Sequence, residues 1–247
     1  MKALQRLAVC AFGASQIAAA CQYSPPPLLN QGQGADTLGD GRLALAAEAG
    51  YGTAASFWQR RGLSNPEVTS GAVGAGRIRY GLGEALDVGL AGGYGPEHAF
   101  VVGPELKWRF AHLSPSKAAD APAFDAALIA GVGVGAADYR YGSGSSPRHV
   151  FVAPYQGLTA SGGVPLIQMF VGLRLAESET LGNQVSDLTL YPVLAFGVQV
   201  RPAAGLTLYA ETDLAGGITT ADTGDSALLF YPTLGASFTF DTSRASD

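Results

Sequence analysis

The stretch Phe100–Phe110, FVVGPELKWRF, alternates between two kinds of side chain with a period of two. Its even positions are apolar and end in aromatic residues, whereas its odd positions include the charged residues Glu105, Lys107 and Arg109. Because successive side chains of a β-strand point to opposite faces, the pattern predicts a strand between two very different environments. About eleven residues are enough for a tilted strand to cross a bilayer.

The same alternation recurs between residues 42 and 240 and predicts about ten strands, with about 8 to 12 compatible with the pattern. Long and short connections alternate along the chain, as they do in outer-membrane barrels. The predicted long connections are 52–70, 138–148, 177–187 and 215–227, the short ones are 81–84, 163–165 and 201–205, and two exceptions are 95–98 and 112–122. The predicted fold class is all-β: a closed antiparallel up-and-down transmembrane β-barrel.

Composition agrees with strands and turns and excludes one class of partner. Charged residues make up only 14% of the chain, which contains 34 Gly and 10 Tyr. Glycine disfavours helices, and tyrosine favours strands. The formal net charge is −5, so the chain lacks the basic balance that nucleic-acid binding requires.

The first twenty residues have the pattern of a secretory signal peptide. Lys2 and Arg6 form a basic region, and an apolar stretch ends at Ala20, before Cys21. The end of this stretch resembles a bacterial lipobox, which implies lipidation of Cys21; the alternative is ordinary cleavage after Ala20, which leaves a free thiol. Residues 21–41 contain three consecutive prolines and several glycines, which predicts a flexible periplasmic tether.

Alternation alone does not say which face of the barrel is inside, because a soluble ligand-binding barrel would bury its apolar face. Three observations favour a membrane. The apolar sets run for about 9–11 residues, as a lipid-facing band requires. Aromatic residues lie at matching levels at the two ends of this band. The polar face is mostly Gly and Ala between its charges, which is typical of a narrow lumen.

In this pattern the chain resembles the small bacterial outer-membrane β-barrels over residues 42–240. The resemblance implies a bacterial outer-membrane location with a periplasmic N-terminus, and two partners: outer-membrane lipid and the barrel-assembly machinery. The last strand of such proteins usually ends in a C-terminal Phe that aids assembly. Here Phe240 is followed by a short polar tail, residues 241–247.

Eleven charged residues fall on the predicted inner face of the barrel. They are Glu48, Arg77, Arg79, Asp87, Glu105, Lys107, Arg109, Asp125, Arg174, Glu211 and Asp213. Because unpaired buried charge is costly, these residues are expected to form a paired network that fills the lumen. The alternative is a narrow polar conduit, since ten strands leave slightly more room than eight.

An outer-membrane hydrolase is the second alternative. The ten-stranded omptin proteases resemble this chain in strand number, and the resemblance implies an active site of carboxylates and a His at the outer rim. His98, His149, Asp138 and Asp213 are the residues that could lie there. No pair of these residues forms a recognisable catalytic motif, the histidines lack metal-ligand spacing, and no cofactor is predicted.

The sequence therefore predicts a non-enzymatic envelope barrel with a side-chain-filled lumen, acting in envelope structure or surface interaction. No residue is assigned a catalytic role, and the sequence identifies no surface ligand.

Overall fold

A computed structural model describes residues 34–58, 71–95, 99–114, 121–138, 148–181, 188–219 and 226–242. Within these ranges ten β-strands follow one another. They are β1 Arg42–Trp58, β2 Gly71–Gly81, β3 Leu86–Tyr94, β4 Phe100–Leu113, β5 Ala123–Asp138, β6 Arg148–Val164, β7 Ile167–Leu181, β8 Leu188–Ala203, β9 Leu206–Thr219 and β10 Ser226–Asp241. No helix in the described part of the chain is long and apolar enough to span a membrane.

Each strand pairs antiparallel with its neighbours in sequence, and β1 pairs with β10 to close the sheet. The predicted fold class is therefore confirmed. We call the end where β1 begins and β10 finishes the terminal end; the short connections 82–85, 165–166 and 204–205 lie there. The longer connection 114–122 also lies there. The opposite end, where most of the longer connections leave the strands, is the loop end.

The stagger of the strands sets the width of the barrel. A line of paired residues that starts at Leu43 of β1 passes Tyr80, Val88 and Leu106 and continues round the sheet. It returns to β1 at Ala55, twelve residues beyond its start. In a ten-stranded barrel this stagger corresponds to a strand tilt of about 40° and to an interior that side chains can fill.

The outer face carries an apolar band between two aromatic belts, and every member of both belts is exposed. The terminal-end belt is Tyr80, Trp108, Phe110, Phe124 and Phe240, and the loop-end belt is Tyr51, Tyr94, Phe100 and Phe230. Between Phe100 and Phe110 the strand rises about 3.3 Å per residue, which at this tilt gives about 25 Å between the belts. No described side chain that faces outward between them is charged.

Several strands extend further at the loop end than the sequence predicted. β1 continues to Trp58, β7 continues to Leu181, and β9 continues to Thr219, through residues that were assigned to loops. The prediction ended each strand where its apolar alternation ended. The backbone ladder does not need apolar side chains, so pairing continues past the loop-end belt into polar sequence.

A β-bulge changes the end of β4. The register with β5 shifts between Arg109 and Ala111, so His112 faces Asp125 across the strand pair. An extra residue in one strand reverses the alternation that follows it. The bulge therefore returns His112 to the inner face, although the sequence assigned this residue to a connection.

Four prolines lie in the middle of strands, namely Pro104, Pro154, Pro192 and Pro232. Each lies in an even-numbered strand and stays in register with the preceding strand. Pairing with the following strand is interrupted beside each proline. Proline has no N–H to donate, so each proline removes a ladder hydrogen bond on the side of the following strand only.

Leu106 tests the assignment of the outer face. It is exposed between the two belts, midway along the band. If lipid covers this face, Leu106→Arg should lower the free energy of unfolding by about 2–4 kcal/mol. Leu113→Arg is the matched control, because Leu113 lies beyond the terminal-end belt on the same strand and should cost about 0–1 kcal/mol. Urea titration in lipid vesicles measures both; equal losses would contradict the assignment.

Candidate functional site in the barrel lumen

All eleven charged residues predicted for the lumen lie on the inner face. Ten of them are buried, and Arg109 is half-buried. Four other predicted site residues are not placed: Cys21 and His98 lie outside the described residues, and the structure does not describe the side chains of Asp138 and His149.

Arg77 is the centre of the charged network. Its guanidinium donates a hydrogen bond from Nη1 to Glu48 Oε1 at 2.8 Å, and its Nε lies 3.8 Å from Glu105 Oε2. All three side chains are less than 5% exposed. A buried arginine between two carboxylates satisfies charges that would otherwise be costly inside the barrel.

Two tyrosines reach this network across glycines. Tyr155, Gly131 and Glu105 lie side by side in the register of three adjacent strands. A Cβ on Gly131 would lie 2.5 Å from the Tyr155 ring, so the ring lies directly over the glycine. The Tyr155 hydroxyl then donates to Glu105 Oε2 at 2.7 Å, two strands away. The glycine is what lets the tyrosine make this hydrogen bond.

The same arrangement recurs on the opposite side of Arg77. Tyr209, Gly235 and Glu48 are in register across β9, β10 and β1. The Tyr209 ring covers Gly235, and its hydroxyl donates to the carbonyl oxygen of Ala47, beside Glu48, at 3.4 Å. Two tyrosine–glycine–glutamate triplets therefore converge on one arginine.

Three further aromatic rings lie over glycines in the same way. Phe170 covers Gly197, Phe151 covers Gly135 and Tyr231 covers Gly52, each at a distance that a Cβ would not allow. Large rings against bare backbone fill space efficiently, and interior cavities are costly. These pairs explain why the inner face needs both many glycines and large aromatic residues.

Asp213 corrects the rim hypothesis. The sequence placed it among candidate residues at the outer rim, but its side chain is 0% exposed inside the barrel. Neither of its carboxylate oxygens has a hydrogen-bond partner among the described residues. It is in register with Ala195 and Tyr231, within the wall of the lumen. A carboxylate enclosed in this way cannot reach a substrate at the rim.

The lumen becomes apolar towards the loop end. One buried cluster joins Val73, Ile129, Tyr155, Ala176, Tyr191, Val193, Ala215, Leu229 and Tyr231. A second joins Ala91, Ala99, Val101, Ala137, Phe151 and Ala153. Val101 alternates with the charged residues of β4, yet it is only 6% exposed and packs in the second cluster. Inward-facing positions at this level are therefore packed with apolar side chains.

At the terminal end, the segment 34–41 enters the lumen before β1 begins. Gly39 and Gly41 have positive φ angles of 83° and 67°, which let the chain reverse from the lumen into the barrel wall. The Gly34 N–H donates to Gln199 at 3.2 Å and the Ala35 N–H to Ser161 Oγ at 3.0 Å. We call residues 34–38 the lumenal segment.

Two charged side chains also bind the lumenal segment. Lys107 Nζ donates to the carbonyl oxygens of Gly34, at 2.6 Å, and of Asp36. Arg201 forms an ion pair with the Asp36 carboxylate at 2.5 Å. Burial alone would raise the pKa of Asp36, but the charges of Lys107 and Arg201 outweigh it and leave this pKa below its usual value.

A chain of polar contacts joins the lumenal segment to the terminal rim. The Leu38 N–H donates to Asp87, which also pairs with Arg79 at 3.2 Å. The Thr37 hydroxyl and the Arg109 guanidinium both donate to the Glu84 carbonyl oxygen, each at 2.6 Å.

Asp125 completes this rim. It accepts from Arg109 at 3.4 Å and lies 2.8 Å from His112 Nδ1. Arg109 and His112 therefore share one buried carboxylate at the mouth of the lumen.

The sequence missed the lumenal segment. Its prediction of a flexible tether covered residues 21–41, of which residues 34–41 are held against the barrel and residues 21–33 lie outside the described range. Asp36 was not a candidate, because glycine and proline dominate its surroundings. Arg201 and Gln199 were not recognised as binding residues, since their partner was not predicted.

The chemistry of this interior is that of packing and charge pairing. No group of three or more His, Cys, Asp or Glu among the described residues is arranged to hold a metal ion. The charges divide by level: Asp36, Asp87 and Asp125 meet four cations at the terminal end. Nearer the centre, four buried carboxylates, Glu48, Glu105, Glu211 and Asp213, accompany two buried arginines, Arg77 and Arg174.

Fold and lumen together define a closed ten-stranded β-barrel with an apolar exterior and a filled interior. No protein-family model matches the chain, and no curated protein matches it. Among solved structures it is similar to the outer membrane protease OmpT from Escherichia coli, with a TM-score of 0.39 and 11% identity over 81% of this chain and 94% of that one.

Two further similar structures differ in their described roles. An outer membrane channel from Pseudomonas putida F1 has a TM-score of 0.45 and 12% identity, covering 83% of this chain and 98% of that one. Ail, the attachment invasion locus protein of Yersinia pestis, has a TM-score of 0.28 and 12% identity, covering 81% and 99%. The neighbours are outer-membrane β-barrel proteins, and at this level of similarity they indicate no particular function.

The charged network gives a prediction for stability. Arg77→Ala should lower the free energy of unfolding by about 3–5 kcal/mol, because it leaves two buried carboxylates without their shared partner. Arg109→Ala should cost about 1 kcal/mol or less, because its ion pair is partly exposed to solvent. Urea unfolding followed by tryptophan fluorescence compares the two variants. Similar losses, or a small loss for Arg77→Ala, would contradict the central role of Arg77.

Proposed function

We propose that this protein is a closed bacterial outer-membrane β-barrel that acts in envelope structure or surface interaction and not by transport through its lumen. The observation that carries the proposal is the filling of the interior at three levels. The lumenal segment occupies the terminal end, the Arg77 network lies nearer the centre, and apolar clusters close the level beyond it. Such a barrel would act through its surfaces and its loops.

Support for the membrane comes from the outer face. A band about 25 Å high without charges, bounded by aromatic residues, matches the hydrocarbon core of an outer membrane. A soluble monomer rarely exposes so large an apolar area, because it would associate or aggregate. Outer-membrane lipid is thus the first proposed partner, and the barrel-assembly machinery, which would insert the chain, is the second.

In the proposed orientation the terminal end faces the periplasm and the loop end faces outward. This orientation places most of the longer connections outside the cell and the short connections 82–85, 165–166 and 204–205 in the periplasm; the β4–β5 connection, 114–122, is the exception. It also places the N-terminal residues on the side from which a secreted chain reaches the outer membrane. Cys21 would then anchor the chain through its lipid in the periplasmic leaflet.

The two alternatives have less support. A small-solute channel would need a continuous polar path, whereas the described lumen is crossed by ion pairs and then by apolar clusters. A rim hydrolase would need its carboxylates at the rim, and Asp213 lies inside the barrel wall. We therefore assign no catalytic residue.

Conductance tests the closed lumen. The purified protein, inserted in planar bilayers, should produce no stable conductance steps, because the lumenal segment, the ion pairs and the apolar clusters fill the described interior. Insertion should be verified by protease protection of the same preparation in vesicles. A porin added to the same bilayer is the positive control. Reproducible ohmic steps from the unmodified barrel would overturn the proposal in favour of the channel.

The mass of the mature chain tests the lipid anchor. If Cys21 is acylated, the protein extracted from membranes should begin at this residue and carry the added mass of its acyl chains. Cys21→Ser should abolish that mass without affecting the barrel. A mature chain with a free thiol at Cys21, or one that begins at another residue, contradicts lipidation.

A further inference from the structure

The terminal mouth of the lumen has the features of a binding site. The side chains that contact residues 34–36 come from three different strands: Lys107 from β4, Ser161 from β6, and Gln199 and Arg201 from β8. Gln168 of β7 lies behind them and contacts Gln199 and Arg201. Sites built on regular strands hold their geometry better than sites built on loops. The wall of this site is therefore independent of the segment that fills it.

Contacts among the wall residues support this independence. Gln199 Nε2 donates to Gln168 Oε1 at 2.5 Å, and Arg201 donates to the same oxygen at 3.2 Å. Arg79 pairs with Asp87, the carboxylate that accepts from the Leu38 N–H. These hydrogen bonds do not involve the lumenal segment, so they would persist without it. Such preorganisation lowers the entropic cost of binding a ligand.

The contacts also specify what the site accepts. A Cβ at Gly34 would lie 3.1–3.2 Å from Asp36, Ser161 and Gln199, and Ala35 is 0% exposed, so both positions need small residues. The next residue, Asp36, presents a carboxylate that accepts from both Arg201 and Gln199. Its own carbonyl oxygen and that of Gly34 are held by Lys107.

We propose that the terminal mouth of the lumen is a peptide-binding site, that it accepts a segment of two small residues followed by an acidic residue, and that residues 34–38 are its resident ligand. Recognition uses main-chain hydrogen bonds for affinity and the carboxylate for specificity. When the resident segment withdraws, the formed site binds a peptide of the same pattern supplied in trans.

The first part of the test measures whether the segment is resident. The full chain with Cys10→Ser, Cys21→Ser and Ala35→Cys, folded in detergent, is treated with a water-soluble maleimide. The introduced thiol should react at least tenfold more slowly than in the same chain carrying Asp36→Arg, because the new cation is repelled by Lys107 and Arg201. Adding Arg201→Glu should restore slow labelling by reversing the ion pair.

The second part measures binding in trans. A fluorescent peptide of residues 33–40 is titrated against the full chain carrying Asp36→Arg, and its anisotropy is followed. It should bind at least tenfold more tightly to this chain than to the unmodified chain, whose site is already occupied. The same peptide with Asp36→Asn, which keeps Asp40, should bind at least tenfold more weakly. Asp36→Asn provides a milder release of the segment if Asp36→Arg prevents folding.

Three results would overturn the proposal. Fast labelling of Ala35→Cys with Asp36 intact would mean that the segment is not resident. Fast labelling after release without peptide binding would mean that the site collapses when it is empty. Equal binding of the Asp and Asn peptides would mean that the site does not read the carboxylate.

Discussion

The pairing of β1 with β10 is the constraint on which the rest of the structure depends. In lipid, every backbone N–H and C=O of a strand needs a partner within the protein, and a sheet meets this demand only when it closes. Closure with a stagger of twelve residues, from Leu43 to Ala55, fixes both the tilt of the strands and the radius of the barrel. The outer face must then be apolar, and the interior must be filled by whatever the inner positions carry.

The interior fills that space by packing large aromatic side chains against glycines, which have no side chain. Tyr155 and Tyr209 lie across Gly131 and Gly235, so each hydroxyl reaches a strand that its own strand does not pair with. Arg77 then joins the two sides through their glutamates. Glu48, Arg77 and Glu105 are thus paired with one another and with tyrosine, which lowers the cost of burying these charges inside the barrel.

Alternation in the sequence was enough to predict the barrel, its ten strands and the face of every lumen charge, because a period of two is a local property of each strand. It could not predict which charges meet: the Arg77–Glu105 pair crosses β3 and depends on a register set by the whole sheet. It could not predict the bulge that turns His112 inward, since one extra residue leaves no mark in composition. The lumenal segment was missed because Asp36 has no periodic neighbours, and its partners lie more than 70 residues away in the chain.

The central claim is that lipid covers the outer face of the barrel and does not reach the apolar side chains inside the lumen. Nuclear Overhauser effects between acyl chains and side-chain methyl groups test this claim directly in the folded protein, with selective methyl labelling of Leu, Val and Ile in lipid nanodiscs. The account predicts strong contacts from acyl protons to Leu106, Leu173 and Leu234, and none to Val193 or Leu229, which are buried inside. Water contacts at the methyl groups of the three outer leucines, or acyl contacts at those of the two inner residues, would contradict it.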